Sequence, residues 1–218
     1  AMQPEPGVFD ESILQGLDFV LHEASKRGLK IILALADNWH PVGGVDSYVA
    51  FSETATKHSD FFTDTRAIEL FLDTHKVLSN RVNTFSGVQY KNDPTIMAWN
   101  LANEARCQNC DSQVMQTWIE RTCAAFKQNA PNHLVGIGTE GFYGPESGQL
   151  SANPGLGGST WASREGQDFL RNANTPCVDF VGVHVWPDDW NFAGVDFQKK
   201  FIKERIASVA NMLPSGPK

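Results

Sequence analysis

The sequence lacks the features that would indicate a nucleic-acid or membrane partner. Its formal net charge is −7, and no long basic run occurs in its 218 residues. The densest basic cluster, residues 199–205, interleaves Lys and Arg with Phe and Ile. That pattern is more typical of the solvated face of an amphipathic helix than of a nucleic-acid-binding patch. No apolar stretch approaches the length of a membrane span, so neither kind of partner is expected.

Cysteine is also scarce, with four residues in the chain. Cys107 and Cys110 form a close pair, whereas Cys123 and Cys177 are scattered, so the spacing disfavours a four-cysteine zinc site. A local disulfide between Cys107 and Cys110 and plain free thiols both stay open. A disulfide would fit a secreted protein, because such bonds persist in oxidising compartments.

The first ten residues, AMQPEPGVFD, lack the charged and apolar regions of a signal peptide. Both this segment and the final LPSGPK are typical of loops. We therefore expect that the chain is cut from a longer protein, in which case the missing signal is uninformative.

Hydrophobic residues make up 41% of the chain, enough for a sizeable core. Four apolar runs are nearly continuous rather than alternating, which is typical of strands buried on both faces of a parallel sheet. These runs are KIILALAD (30–37), TIMAWNLANE (95–104), LVGIGTEG (134–141) and FVGVHVWP (180–187).

Helical patterns alternate with these runs. The first covers residues 11–27, with Asp10 as its N-cap and Gly28 as its C-terminal glycine. The others cover residues 64–82, 111–128, 163–172 and 195–212. We expect the apolar residues of these helices in the core, together with His75 and, from the second strand, Trp99. The alternation predicts an α/β protein, either an open four-stranded parallel sheet or a piece of a (β/α)8 barrel.

Polar and aromatic residues collect where the four predicted strands end. They are Asp37, Asn38, Trp39 and His40, then Asn103 and Glu104, then Glu140, Phe142 and Tyr143, and finally His184, Trp186, Asp188 and Trp190. A carbohydrate cleft needs carboxylates for proton transfer, amides and imidazole for sugar hydroxyls, and flat aromatic faces for sugar rings. Each residue also has a structural interpretation, as a loop cap, an ion-pair partner or a core residue. The coincidence at four strand ends favours the cleft.

The segment TIMAWNLANEARCQNC (95–110) resembles the acid/base strand of glycoside hydrolase family 5, in its endo-β-1,4-mannanase branch. In that family the strand ends in Asn-Glu, usually followed by Pro, Arg and Cys. The similarity continues along nearly the whole chain. Residues 2–39 are similar to the second helix and third strand of the family, 90–99 to the approach to strand four, 131–144 to strand five, and 178–190 to strand six.

This resemblance implies that residues 1–218 are a single partial catalytic domain with about four central units of a (β/α)8 barrel. The complete protein would be a secreted, monomeric hydrolase that cleaves internal β-1,4-mannosidic bonds of a polysaccharide with retention, without metal or cofactor. Glu104 would be the general acid/base. The substrate-binding residues would be Asn103, Glu140, His184, Trp186 and Trp190.

The sequence departs from the family pattern in three ways. Trp186 stands where the family usually has Tyr, and Ala105 replaces the usual Pro. The family's nucleophile, a Glu at the end of strand seven, would lie beyond Lys218. Glu140 stays an alternative nucleophile, because adjacent strands about 4.8 Å apart permit the required carboxyl separation of about 5–5.5 Å. We expect the isolated chain to be inactive and, with two unpaired edge strands, poorly soluble.

Three other functions stay open from the residues alone. A β-1,4-glucanase of the same superfamily and a non-catalytic sugar-binding barrel would carry similar motifs. A thiol–disulfide protein could use Cys107 and Cys110, but the chain has more strand–helix units than a thioredoxin-like context needs.

Overall fold

The computed structural model describes residues 1–39, 43–155, 161–190 and 194–212. Its strands are β1 (Ile31–Ala34), β2 (Ile96–Asn100) and β3 (Leu134–Gly136). Its α-helices are α1 (Glu11–Lys26), α2 (Val45–Phe51), α3 (Thr65–Asn80), α4 (Ser112–Asn129), α5 (Phe169–Ala173), α6 (Pro187–Trp190) and α7 (Gly194–Met212). Short 3-10 helices cover His58–Phe62, Tyr90–Asn92, Pro145–Ser147, Leu150–Ala152 and Trp161–Arg164.

The three strands form one parallel sheet in the order β1-β2-β3. Ala34 is paired with Asn100, which is paired in turn with Gly136. Beyond the regular ladder an isolated parallel bridge joins Asp37 to Asn103. The prediction of a parallel sheet is confirmed. Because parallel strands run in the same direction, their carboxyl ends, where the polar residues follow, meet at one edge of the sheet.

The predicted fourth strand, residues 180–187, does not form. Phe180 makes a single parallel bridge to Gly136, and the His184 N–H donates to the Glu140 carbonyl at 3.3 Å. The preceding segment explains the failure, because Gly138 and Gly141 have φ of 85° and 90°. These left-handed values end the extended backbone of β3 after Gly136, so no continuous ladder is available to the next segment. The predicted strand 134–141 is shortened for the same reason.

Most predicted helices are confirmed with shifts of a few residues. Asp10 caps α1 by accepting from the Ser12 N–H at 2.9 Å, and the Gly28 N–H bonds to the Ser25 carbonyl at 3.0 Å. The helix expected at 163–172 is wrong in extent, since the chain forms a 3-10 turn and then α5, whose N-cap is Asp168. Helix α2 was not predicted.

The main core lies between the sheet and helices α3 and α4. The Phe71 ring lies within 6 Å of Phe61, Trp118 and Phe126, measured between ring centroids. Trp99 and His75 are fully buried, as predicted, and the Trp99 indole donates to His133 Nδ1 at 2.9 Å. Burial lowers the pKa of His75 to about 3, consistent with a neutral core histidine.

All four cysteines are paired. Of the two states left open for Cys107 and Cys110, the structure has the local disulfide, and a second disulfide joins Cys123 of α4 to Cys177. The second bond was not predicted, because the two residues are 54 positions apart in sequence. No helix within the described ranges is long and apolar enough to cross a membrane.

Candidate active site

The end of β2 delivers Asn103 and Glu104 to the C-terminal edge of the sheet. The Asn103 amide donates to Asp37 Oδ2 at 3.1 Å, so this side chain is oriented by the neighbouring strand end. The Glu104 N–H donates to the Gly138 carbonyl at 2.8 Å. Glu104 has φ of 52°, a conformation uncommon for a residue other than glycine. Such backbone strain is concentrated at functional sites, where the surrounding structure holds it.

The Glu104 carboxylate is bound by three donors from two other segments. Trp39 Nε1 donates to Oε2 at 2.6 Å, and Trp186 Nε1 donates to Oε1 at 3.3 Å. His184 Nδ1 lies 2.7 Å from Oε1, which requires the proton on Nδ1. The side chain of Glu104 is 11% exposed, so these bonds form in a partly desolvated site.

These contacts set the charge of the site. Burial raises the pKa of Glu104, but the hydrogen bonds from His184, Trp39 and Trp186 together outweigh it and lower this pKa to about 2. The same hydrogen bond to Glu104 raises the pKa of His184 despite its partial burial. Glu104 and His184 therefore form an ion pair at mildly acid pH.

Glu104 lies in a cleft of about 570 Å³ whose described lining consists of four indole rings and four polar side chains. Trp186 is 56% exposed and presents its ring to solvent. The described lining residues are Trp39, Asn103, Glu104, Arg106, Trp161, Trp186, Asp189 and Trp190. A volume of this size, with flat apolar surfaces beside convergent polar groups, is typical of a small-molecule or sugar site.

Arg106 is held in the wall of the cleft by aromatic rings and a buried carboxylate. Its guanidinium carbon lies 4.8 Å from the Trp39 ring centroid and 4.9 Å from that of Trp161. Its Nε donates to Glu140 Oε1 at 2.6 Å. Cation–π contacts and a charge-assisted hydrogen bond together fix the guanidinium.

Glu140 is not part of the cleft surface. Its side chain is fully buried, and Gln167 Nε2 donates to its second oxygen at 2.5 Å. Burial raises the pKa of Glu140, although Arg106 and Gln167 oppose that effect. Glu140 was predicted as a substrate-binding residue; it is not among the described residues that line the cleft, and its carboxylate binds Arg106.

The predicted residues Asn103, Glu104, Trp186 and Trp190 line the cleft together, and His184 reaches it through Glu104. Sequence reasoning placed Trp39 at a strand end but missed its bond to Glu104, and it missed Arg106. The sequence feature that could have identified Arg106 was its position two residues after Glu104. His40, which was also noted at a strand end, lies outside the described residues. Within the described ranges, no group of three or more His, Cys, Asp or Glu is arranged to hold a metal.

A parallel sheet with helices between its strands, and a polar cleft at the carboxyl ends of the strands, defines part of a (β/α)8-barrel enzyme fold. The chain belongs to the GH family 5 beta-mannosidase-like family, whose model matches residues 1–213. The partial barrel predicted from the sequence is thereby confirmed.

Individual relatives agree with this assignment. Mannan endo-1,4-beta-mannosidase 7 of Arabidopsis thaliana is 39% identical over 98% of this chain and 50% of its own length. A putative mannan endo-1,4-beta-mannosidase 9 of Oryza sativa subsp. japonica is 41% identical over 94% of this chain and 50% of its own length. The endo-beta-1,4-mannanase from Thermotoga petrophila superposes with a TM-score of 0.87 at 34% identity, covering 97% of this chain and 48% of that protein. The chain thus spans about half the length of the curated relatives it matches.

Proposed function

We propose that the full-length protein hydrolyses internal β-1,4-mannosidic bonds of mannan by a retaining double displacement. The observation that carries this proposal is the Glu104 carboxylate, bound by indole and imidazole N–H groups at the surface of an indole-lined cleft. The activity named for the relatives supports the choice of substrate. Residues 1–218 would belong to a single catalytic domain.

Glu104 is the proposed general acid/base, which protonates the leaving glycosidic oxygen and then activates water. The first step needs a protonated carboxyl group, whereas a pKa of about 2 describes an ionised one. A second carboxylate about 5–5.5 Å away would raise the pKa of Glu104, because two like charges at that distance disfavour double ionisation. The proton on Glu104 therefore depends on the ionised nucleophile.

Glu140 is a poor candidate for that nucleophile. Its carboxylate is fully buried and both oxygens are bound, to Arg106 and to Gln167. Attack on a sugar carbon requires an exposed, unshielded oxygen on the opposite side of the ring from Glu104. We infer that the nucleophile is a different glutamate of the full-length protein.

The remaining predicted residues receive distinct proposed roles. Asn103 offers its amide to the sugar hydroxyl beside the scissile bond, a contact that would strengthen in the transition state. Trp186 and Trp190 present ring faces to sugar units, and His184 orients Glu104. Two carboxylates supply both chemical steps, so the proposal includes no metal or cofactor. The two disulfides favour secretion, and we propose a monomer.

The test compares hydrolysis of galactomannan with that of a soluble cellulose derivative by the full-length protein. We expect release of reducing ends from galactomannan only, with the β-anomer formed first in a proton NMR time course. Glu104→Gln should lower turnover at least about a thousandfold, because general acid–base catalysis contributes up to about four orders of magnitude.

Glu53 provides a matched control, since it is exposed and lies outside the cleft. Glu53→Gln should keep wild-type turnover. Faster hydrolysis of the cellulose derivative would indicate a glucanase, and retained affinity for mannan without turnover would indicate a binding protein. Wild-type activity in a correctly folded Glu104→Gln variant would remove the assignment of Glu104.

A further inference from the structure

Arg205 differs from the basic cluster to which it belongs in sequence. Residues 199–205 were interpreted as the solvated face of an amphipathic helix, and Lys199, Lys200 and Lys203 are exposed as expected. Arg205, on the same helix α7, is only 1% exposed. Burial lowers the pKa of Arg205 to about 10, so its guanidinium is still charged at neutral pH.

The buried guanidinium is bound chiefly by neutral groups. Its Nε, Nη1 and Nη2 donate at 3.0, 3.0 and 3.1 Å to the Gly141 carbonyl, the Ala152 carbonyl and Asn153 Oδ1. Among the described residues its ion-pair partner is Glu204, at 3.6 Å, whose side chain is 31% exposed, so solvent weakens that pairing. A cation is costly to bury without a close carboxylate, so its position must serve some other arrangement.

One side of the guanidinium fastens α7 to the loop that follows β3. Asn153 Oδ1 also accepts from the Tyr143 N–H at 2.8 Å, and Asn153 Nδ2 donates to the Tyr143 carbonyl at 2.8 Å. The guanidinium carbon of Arg205 lies 4.2 Å from the centroid of the Tyr143 ring. Arg205 therefore holds the backbone on both sides of Phe142.

The guanidinium also contacts Phe201, which lies one turn earlier in α7. The guanidinium carbon is 3.5 Å from the centroid of the Phe201 ring, which is fully buried. The Phe201 ring lies in turn 5.6 Å from the ring of Trp190, measured between centroids. Cation–π contact with Arg205 thus fixes a ring that packs directly against a cleft residue.

The orientation of the Trp190 ring depends on these neighbours. The ring packs at 5.3 Å from Phe142, 6.2 Å from Trp161 and 5.6 Å from Phe201. Arg205 holds two of the three, Phe142 through the backbone around it and Phe201 through its ring. A flat ring binds a sugar unit only when its face is presented correctly, so small rotations weaken the contact.

We propose that Arg205 is a positioning residue for the cleft, which holds Phe142 and Phe201 so that Trp190 presents its ring face to a sugar unit. Arg205 is not among the described residues that line the cleft, and it acts only through these rings. Lysine cannot replace it, because a single ammonium cannot reach three acceptors and lie against two rings at once. This role rests on the proposed function, in which Trp190 stacks on the substrate.

The kinetic test is a double-mutant cycle in the full-length protein with mannohexaose. Arg205→Lys should raise KM about fivefold, the effect of weakening one aromatic contact, and should change kcat less than about twofold. In a Trp190→Ala background, Arg205→Lys should raise KM no further, because the ring that it positions is gone. Lys203→Met is the matched control, an exposed cation of the same helix, and should leave KM unchanged in both backgrounds.

A spectroscopic measurement separates positioning of Trp190 from a general loosening of the fold. The protein is labelled with 5-fluorotryptophan, and the fluorine resonance of Trp190 is assigned by its loss in Trp190→Ala. Arg205→Lys should shift this resonance, whereas the resonances of Trp99 and Trp118, both buried in the main core, should stay in place. An unmoved Trp190 resonance, or equal shifts of all three, would overturn the proposal.

The remaining outcomes are also decisive. A fivefold rise in KM that persists in the Trp190→Ala background, or a fall in kcat with unchanged KM, would refute positioning through Trp190. Should Arg205→Lys fail to fold, Phe201→Leu takes its place, because it removes the intervening ring and leaves the hydrogen bonds of Arg205; it should give the same KM effect with and without Trp190. If the wild type hydrolyses no mannan, the proposed function fails, and the Trp190 resonance alone decides the role of Arg205.

Discussion

Glu104 follows β2 and Glu140 follows β3, two neighbouring strands of the same sheet, but only Glu104 keeps its carboxylate at the surface of a cleft. Glu104 accepts from indole and imidazole N–H groups, which lower its pKa to about 2. Glu140 is fully buried against a guanidinium and an amide, and burial raises its pKa. Two carboxylates at equivalent strand ends therefore have opposite pKa shifts and different roles.

The hydrogen-bond partners of each carboxylate decide whether a ligand in the cleft can reach it. Glu104 is bound mainly through side chains that themselves line the cleft or border it, so a substrate can reach it and alter its surroundings. Glu140 is buried, and its carboxylate accepts a hydrogen bond from Arg106, whose guanidinium lies between the rings of Trp39 and Trp161. The end of β3 thus supports the wall of a site whose proposed acid/base, Glu104, lies at the end of β2.

The largest expected effect comes from removing the cation that pairs with Glu140. Arg106→Met leaves a buried carboxylate without its cation, so the free energy of unfolding should fall by about 3–5 kcal/mol. Urea denaturation of the full-length protein measures this loss. The double variant Arg106→Met/Glu140→Leu removes the stranded charge as well and should recover a large part of the loss. A single variant no less stable than the double variant would contradict the pairing.

An intermediate effect concerns the Glu104 ion pair and depends on pH. The lowered pKa of Glu104 adds stability that is complete above about pH 4.5 and is lost as pH falls towards 2. The raised pKa of His184 adds stability that is complete below its ordinary value of 6.5 and is lost as pH rises through the raised value. His184→Asn should therefore cost most, on the order of 2 kcal/mol, between these two limits.

Urea unfolding of the wild type and of His184→Asn at acid, intermediate and alkaline pH measures that dependence. In a Glu104→Gln background the same substitution should lose most of its pH dependence, because the charged partner is gone. If His184→Asn lowers the free energy of unfolding equally at all three pH values in the protein that keeps Glu104, His184 acts only through packing.

The smallest effect separates the two indole donors of Glu104. Trp39→Phe removes a donor at 2.6 Å, so the pKa of Glu104 should rise and the alkaline limb of kcat/KM should move to higher pH by less than about one unit. Trp186→Phe removes a longer bond of 3.3 Å from an exposed ring and should move that limb less. A larger shift in Trp186→Phe would reverse the ranking of the two donors.

Much of this arrangement was accessible from the sequence because it depends on local patterns. Continuous apolar runs predicted parallel strands β1 to β3, and Asp10 predicted the start of α1. The Asn103–Glu104 pair was placed at a strand end by the run that precedes it. The prediction of a fourth strand was wrong because the apolar pattern of residues 180–187 contains no information about the backbone of Gly138 and Gly141. The positive φ of these two glycines ends the neighbouring ladder.

The sequence by itself determined the alternation of strands and helices, the edge at which the polar residues gather, and the residue proposed to act as acid/base, since each follows from periodicity, capping or a contiguous motif. Only the tertiary structure decided that Trp39 and His184 share the oxygens of Glu104, and that Cys123 pairs with Cys177. These contacts join segments distant in the chain. Their distances, and the burial that sets each pKa, exist only once the sheet and helices have packed.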